Sequence, residues 1–99
     1  MAEALELEEV LAALANPWRR RVIAALAADE HDEEHACGSF ELPISKASRS
    51  HHFRVLREAG LVRQRDHGNG SALTLRRAEI QGQFPGLLDL VLEEPRTAG

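Results

Sequence analysis

The sequence predicts an α+β fold, mostly helical, in which a two-stranded hairpin stands between helices. Three observations carry that expectation. Apolar residues recur at helical spacing through the first half of the chain. The pair Asn69–Gly70, a strong turn signal, separates two strand-like runs, "LVRQRD" and "SALTLR". A final apolar run, "FPGLLDLVLEE", reads as helix again.

Each element has its own signal. Residues 2–15 read as a helix because Leu7, Val10 or Leu11, and Leu14 recur at helical spacing. Asn16 followed by Pro17 supplies an N-cap and a proline in the first turn, so a second helix is expected from Pro17 to about Ala28, with Trp18, Val22 and Leu26 on one stripe. The stretch "DEHDEEHACGSFELP" is acidic and irregular; a short third helix ending near Phe40 is expected before Pro43. Ser45 is the N-cap of a helix over about 45–59, and Gly60 stands where a left-handed residue ends it. The hairpin occupies about 61–76, and a last helix about 84–94. Helices, a tight hairpin and one more helix are compatible with a winged helix.

Composition bounds the rest. Ninety-nine residues make one small domain, expected to span 1–99. A core this small is often completed by oligomerisation. No apolar run approaches the ~20 residues of a membrane span, and no basic-then-apolar segment opens the chain. The expectation is therefore a cytoplasmic protein with no membrane partner. Cys37 is the only cysteine, which excludes an internal disulfide and suits a reducing compartment.

The net charge of −4 hides an asymmetry. Residues 1–42 carry −7, residues 43–77 carry +6, and residues 78–99 carry −3. A positive middle between negative ends points to a polyanion site in the middle; a solvated charged face is the competing explanation. Placing "KASRSHHFRVLREAGLV" on a helix at about 100° per residue separates the two. Phe53 and Leu56 fall together as an anchoring face. Lys46, Ala47, Ser50, His51, Arg54 and Arg57 fall on the opposite side. Small residues there permit close approach to base edges, while Arg and Lys supply guanine or phosphate contacts. His52 lies on the packing flank, where a structural histidine is expected. Arg49 falls near the apolar stripe, close enough to the helix start to swing to a phosphate.

The runs "LANPWRRRVIAAL" and "SKASRSHHFRVLREAGLV", followed by a short hairpin, resemble the ArsR-type winged helix-turn-helix repressors of prokaryotes. The residues that carry the resemblance are Ser45, Ser50, His51, His52, Val55, Leu56, Ala59, Gly60, Leu61 and Val62. It extends over roughly residues 5–94. It implies a homodimer built from terminal helices, with two recognition helices in successive major grooves of double-stranded DNA and a signal that releases the DNA. Carried over by position, Lys46, Ala47, Ser48, Arg49, Ser50, His51, Arg54 and Arg57 form the recognition surface, with Lys46, Ala47, Ser50 and His51 reading bases. Arg63, Arg65, His67 and Asn69 form the wing. The chain departs from the family before the recognition helix, where Gly38 and Pro43 crowd the positioning helix.

Many ArsR-type proteins sense metal through a Cys-x-Cys box on the third helix or through His and Asp on the last. Here His35 and Cys37 stand near the box position, with His31, Asp29 and Glu33 nearby, and the last helix has no histidine. Zinc and copper(I) sites want three or four thiolate and imidazole ligands. A lone cysteine also lacks a resolving partner for redox sensing. No cofactor or bound metal is expected, and a metal- or thiol-responsive sensor using His35 and Cys37 stands as the alternative. A winged helix that docks an acidic protein is the other alternative. "HDEEH" has zinc-protease spacing but puts Asp32 where that motif needs Glu. With no phosphate loop, nucleophile motif or dinucleotide fingerprint, catalysis is not expected. The residues name neither the inducer nor the operator.

Overall fold

The computed structural model describes residues 4–95. The elements run α1 (Leu7–Leu14), α2 (Pro17–Ala28), β1 (His35–Ala36), a 3-10 turn (Cys37–Ser39), α3 (Lys46–Glu58), β2 (Val62–Asp66), β3 (Ser71–Leu75), α4 (Arg77–Gln83) and α5 (Leu87–Glu93). The sheet is antiparallel in the order β1-β3-β2. The result is an α+β winged helix-turn-helix architecture.

The second helix lies at the centre. Its side chains Val22, Ile23, Ala24, Leu26 and Ala27 are buried, and it packs against α1, α3, β3 and α5. Asn16 starts it as the sequence requires: its Oδ1 accepts from the amides of Trp18 at 2.8 Å and Arg19 at 3.2 Å. Around it the core closes with Val10 and Leu14, Phe53 and Leu56, Leu61 and Val62, Leu73 and Leu75, Ile80, and Leu88 and Val91.

The expected two-stranded hairpin forms as β2–β3, and three other expectations need correction. A strand that the sequence does not announce, β1, adds to the hairpin by pairing with the other side of β3 through His35–Leu73 and Ala36–Ala72. A two-residue strand has no periodicity to read, so only the pairing reveals it. The short third helix is a single 3-10 turn, because Gly38 and Pro43 leave no room for more. The hairpin turn centres one residue earlier than Asn69–Gly70. His67 N–H donates to the Gly70 carbonyl at 2.8 Å, and Gly68 has φ +85°, the conformation a type II′ turn needs at its first central position. The last helix starts later than expected, and a separate helix precedes it. Gly86, at φ +90°, interrupts the run, and α5 starts at Leu87 rather than near Phe84. The preceding α4 went unread because "RRAEIQGQ" carries only one buried apolar residue, Ile80. The first helix begins at Leu7; residues 2 and 3 of its expected span lie outside the described residues.

The junction between α3 and β2 fixes the angle between helix and wing. Gly60, at φ +83°, ends α3 in a Schellman arrangement: its amide donates to Arg57 O at 3.0 Å and the Leu61 amide to Leu56 O at 3.1 Å. A Cβ there would collide with the Leu5 side chain and approach Arg76 Nη1 at 3.2 Å. Leu5 cannot retreat freely, because Gln83 of α4 bonds both its amide, at 2.6 Å, and its carbonyl, at 2.9 Å. Gly60→Ala is therefore expected to destabilise the fold by about 1–3 kcal/mol, the sum of a left-handed backbone and a displaced neighbour. Urea denaturation is the check, and an unchanged midpoint would refute it.

Candidate nucleic-acid interface

Thirteen residues make up α3, and its two faces differ sharply in burial. Ser45 caps its start, with Oγ accepting from the Ser48 amide at 3.1 Å. His52, Phe53 and Leu56 are buried against α2 and the turn before the helix, where Phe53 meets Phe40 with ring centroids 5.7 Å apart. Lys46, Ala47, Ser48, Ser50, His51, Arg54 and Arg57 are all exposed, and Arg49 is half-buried. The helix thus offers solvent a strip of small polar and basic side chains along its length. Its width and chemistry suit a DNA major groove, which admits an α-helix and presents base-edge acceptors to Arg and Lys.

Neighbouring contacts order parts of that strip. Arg54 Nη2 lies 3.3 Å from His51 Nδ1, and Arg57 Nη1 donates to Gln64 Oε1 at 3.0 Å, linking helix and wing. On β2, Arg63, Gln64 and Arg65 are exposed on both faces of the strand, so the wing projects beyond the core. Arg63 Nη2 is 3.3 Å from Glu79 Oε1, and His67 Nε2 is 3.1 Å from Glu34 Oε1. Asn69 is exposed in the turn. The recognition-surface and wing residues therefore all reach the surface except Arg49. Arg63 and His67 already carry carboxylate partners, which sequence spacing could not show, since those partners are 16 and 33 residues away.

Sequence reasoning also missed Arg19. Its Nε donates to Ala13 O at 2.6 Å, its Nη2 to Ala12 O at 3.3 Å, and its Nη1 lies 3.1 Å from His52 Nδ1. Burial, then the charge of Arg19, then that of His51, push the His52 imidazole below its ordinary value. The only signal in the sequence was the "WRRR" run at the start of a helix, where the helix dipole disfavours cations unless they are engaged elsewhere.

The residues of the alternative metal site do not assemble as ligands. His35 Nε2 bonds Asp29 Oδ2 at 3.0 Å, and its ring stacks on Phe40 at 6.0 Å. Asp29 already accepts from the backbone amides of His31 and Glu33, and with His35 these hold its carboxyl below the usual range. Burial pushes the Cys37 thiol up, with Arg49 opposing, whereas a ligand or sensor cysteine needs its thiolate form. Among the described residues no three His, Cys, Asp or Glu side chains converge as a metal-holding group. The donor set near the Cys-x-Cys position does not fit a metal. His31 and His35 also share no helix face, since that segment is turn and strand.

With the helix, wing and buried anchor in place, the comparisons fall into line. A family described as a helix-turn-helix domain matches residues 14–65, from the end of α1 through α3 into β2. The chain belongs to the helix-turn-helix domain family. Solved structures extend the likeness to its winged, ArsR-type form. An ArsR-like transcriptional regulator from Rhodococcus sp. RHA1 is 23% identical over 85% of this chain and 77% of its own, with a TM-score of 0.64. The crystal structure of an ArsR family transcriptional regulator is 21% identical over 96% of this chain and 100% of its own, TM-score 0.67. A possible transcriptional regulator for arsenical resistance is 28% identical over 93% and 100%, TM-score 0.62. No curated protein matches the sequence. This helix-turn-helix chain is thus an ArsR-type DNA-binding regulator in fold. No helix among its described residues is long and apolar enough to cross a membrane.

Zinc is expected to leave DNA binding by this helix-turn-helix protein unchanged, because His35 is held by Asp29 and burial keeps the Cys37 thiol from its thiolate form. Titration of zinc into a protein–duplex complex, followed by anisotropy, checks this. A zinc-induced release that Cys37→Ser and His35→Ala each abolish would overturn it.

Proposed function

We propose that this protein is a sequence-specific transcriptional repressor that binds a palindromic operator as a homodimer, with α3 in the major groove and the β2–β3 hairpin as the wing. The single observation that carries the proposal is the division of α3: His52, Phe53 and Leu56 are buried, while Ala47, Ser50, His51 and Arg54 stand exposed on the opposite arc. A helix so anchored presents its polar face as a rigid unit, which groove reading requires. The positive middle of the chain supplies phosphate attraction that its acidic ends lack. The cytoplasm, where the genome of a prokaryote lies, is the matching compartment.

Dimerisation has its own support. Leu7 and Leu11 of α1 are 55% and 54% exposed, and Leu90 and Leu92 of α5 are 66% and 43% exposed. Four large apolar side chains in water on the two terminal helices make a surface that a second copy can cover. Two-fold pairing of the helices then demands a two-fold symmetric site on DNA. Sedimentation is expected to give a dimer at micromolar concentration; a monomer there would count against the proposal.

Base reading and backbone attraction separate by mutation. His51→Ala or Ser50→Ala is expected to weaken operator binding by about 1–3 kcal/mol and to relax preference at one base position. Arg65→Ala is expected to weaken specific and random duplexes alike and to flatten the salt slope by about one unit, as loss of one phosphate contact does. The experiment is selection of a duplex from a random-sequence pool, then titration of each variant against the selected and scrambled duplexes over a salt series. Salt-insensitive binding would favour a protein-docking module, and an intact preference in both α3 variants would place base reading elsewhere.

A further inference from the structure

His52 is a buried titratable group on the helix that reads DNA, and it faces inward, away from the proposed DNA surface. Its side chain is enclosed to 9% exposure, yet its ring centroid lies 5.8 Å from that of His51, which is on the outer face. On its inner side it meets Arg19. A guanidinium has five N–H donors and no acceptor. Arg19 Nη1 at 3.1 Å must therefore donate, so His52 Nδ1 must accept and carry no proton. The remaining donors of Arg19 go to Ala12 O and Ala13 O, carbonyls in the last turn of α1. That turn has no basic residue of its own, and Arg19 reaches its carbonyls from the next helix, adding to the Ala15 amide on Ala12 O. One guanidinium therefore ties the C-terminal end of α1 to the centre of the recognition helix.

We propose that His52 is a positioning residue for DNA recognition: as the acceptor of Arg19 it locks α3 onto the α1–α2 corner, and only a His52 without a proton on Nδ1 holds the helix where it can enter the groove. This rests on the proposal that α3 reads DNA. Protonating Nδ1 turns the acceptor into a donor facing a donor and sets two cations side by side. The latch then opens, and α3 loses its polar tie to the α1–α2 corner while Phe53 and Leu56 keep it attached.

The surroundings set the sign. Arg19 faces His52 from α2, and His51 from its own helix; both disfavour the protonated form, as does burial. Glu9 of α1 and Glu58 of α3 edge the groove beside Arg19, but neither is within ion-pair distance of Arg19 or His52 among the described contacts. With the folded imidazole pushed below its ordinary value of 6.5, the neutral form dominates above that pH. As pH falls below it, the unfolded chain takes up a proton before the folded one does, so stability declines through that window. Release of DNA with an open latch takes up the same proton. An ordinary histidine beside DNA behaves oppositely, because a neighbouring polyanion favours the charged form.

That opposition supplies the test. The full-length protein, labelled with nitrogen-15, is titrated from pH 8 to pH 5 with and without a duplex selected from a random pool at pH 8, following the assigned ring nitrogens of all five histidines. Addition of the duplex is expected to lower the His52 titration midpoint and to raise that of His51. A second arm uses H52N, whose side-chain oxygen takes the place of Nδ1 as an acceptor that does not titrate. The wild-type affinity relative to H52N is expected to weaken by up to about tenfold per pH unit as the latch titrates, one proton being taken up per release. A His52 midpoint that stays or rises on DNA, or an unchanged affinity ratio across the range, overturns the proposal while leaving DNA reading by α3 intact. If H52N does not fold, the wild-type midpoints decide alone. If no duplex is bound at pH 8, the DNA-reading proposal itself fails, and this one with it.

Discussion

Burial of α2 is the constraint on which the other elements depend. Val22 and Ile23 are completely enclosed, and Leu26 nearly so. They stay dry only because α1, α3, β3 and α5 all pack around this one helix. A chain of 99 residues cannot build a second core. Every functional side chain must therefore be hung from this one. The recognition helix spends one stripe on attachment and keeps the rest for solvent. The wing keeps Val62, Ala72, Leu73 and Leu75 at its buried base and lets its tip run free. The terminal helices spend Val10, Leu14, Leu88 and Val91 on the core and leave Leu7, Leu11, Leu90 and Leu92 outside.

That economy explains the arginines at the start of α2. A helix N-terminus is a poor place for three positive charges, and the sequence "PWRRRV" accepts that cost. In the fold, two of the three reach back to the end of the preceding helix. Arg19 takes Ala12 O and Ala13 O, and Arg20 takes Leu14 O at 2.8 Å while its Nε holds Glu94 at 2.9 Å. Arg21 lies over the Trp18 ring at 5.2 Å. An eight-residue helix is too short to be stable alone. The arginines close its frayed end and, through Glu94, join it to the end of the last helix. The segments that carry the exposed leucines are thus held by charges belonging to the central helix.

What was legible in the sequence follows from how local each signal is. Asn16–Pro17 and Ser45 are contained within single turns, and both caps form where they stand. The burial pattern of α3 depends only on helical angle, so the orientation of Phe53, Leu56 and His52 could be read from spacing alone. Gly60 ends its helix for a reason visible in one residue. The misses are all non-local or too short. β1 exists only because β3 offers it an edge. The helix α4 is held by Arg77, whose guanidinium grips Asp32 at 2.8 Å and the carbonyls of Ala27 and Asp29, some 45 to 50 residues away. The shift of the turn to Gly68 is a contest between two adjacent turn-forming glycine pairs that only strand register decides. Arg19 has the same character: its partners are a carbonyl six residues back and a histidine 33 residues ahead.

The acidic ends of the chain acquire a role from the same geometry. Glu34 and Glu79 come from the acidic flanks, yet the fold sets them against His67 and Arg63 of the wing. Both pairs are exposed, and exposed pairs contribute only about 0–1 kcal/mol. Such contacts hold a side chain in place without committing it, because a DNA phosphate offers the same charge and releases counterions when bound. Arg65, on the strand between them, has no carboxylate within ion-pair distance among the described contacts. If the wing meets DNA as proposed, Arg65 is open to a phosphate, while Arg63 must first leave Glu79. On the proposed reading, that exchange would subtract equally from the attraction to every duplex, operator included, and would leave base reading by α3 untouched. It would therefore set overall affinity and salt dependence, and leave discrimination to α3.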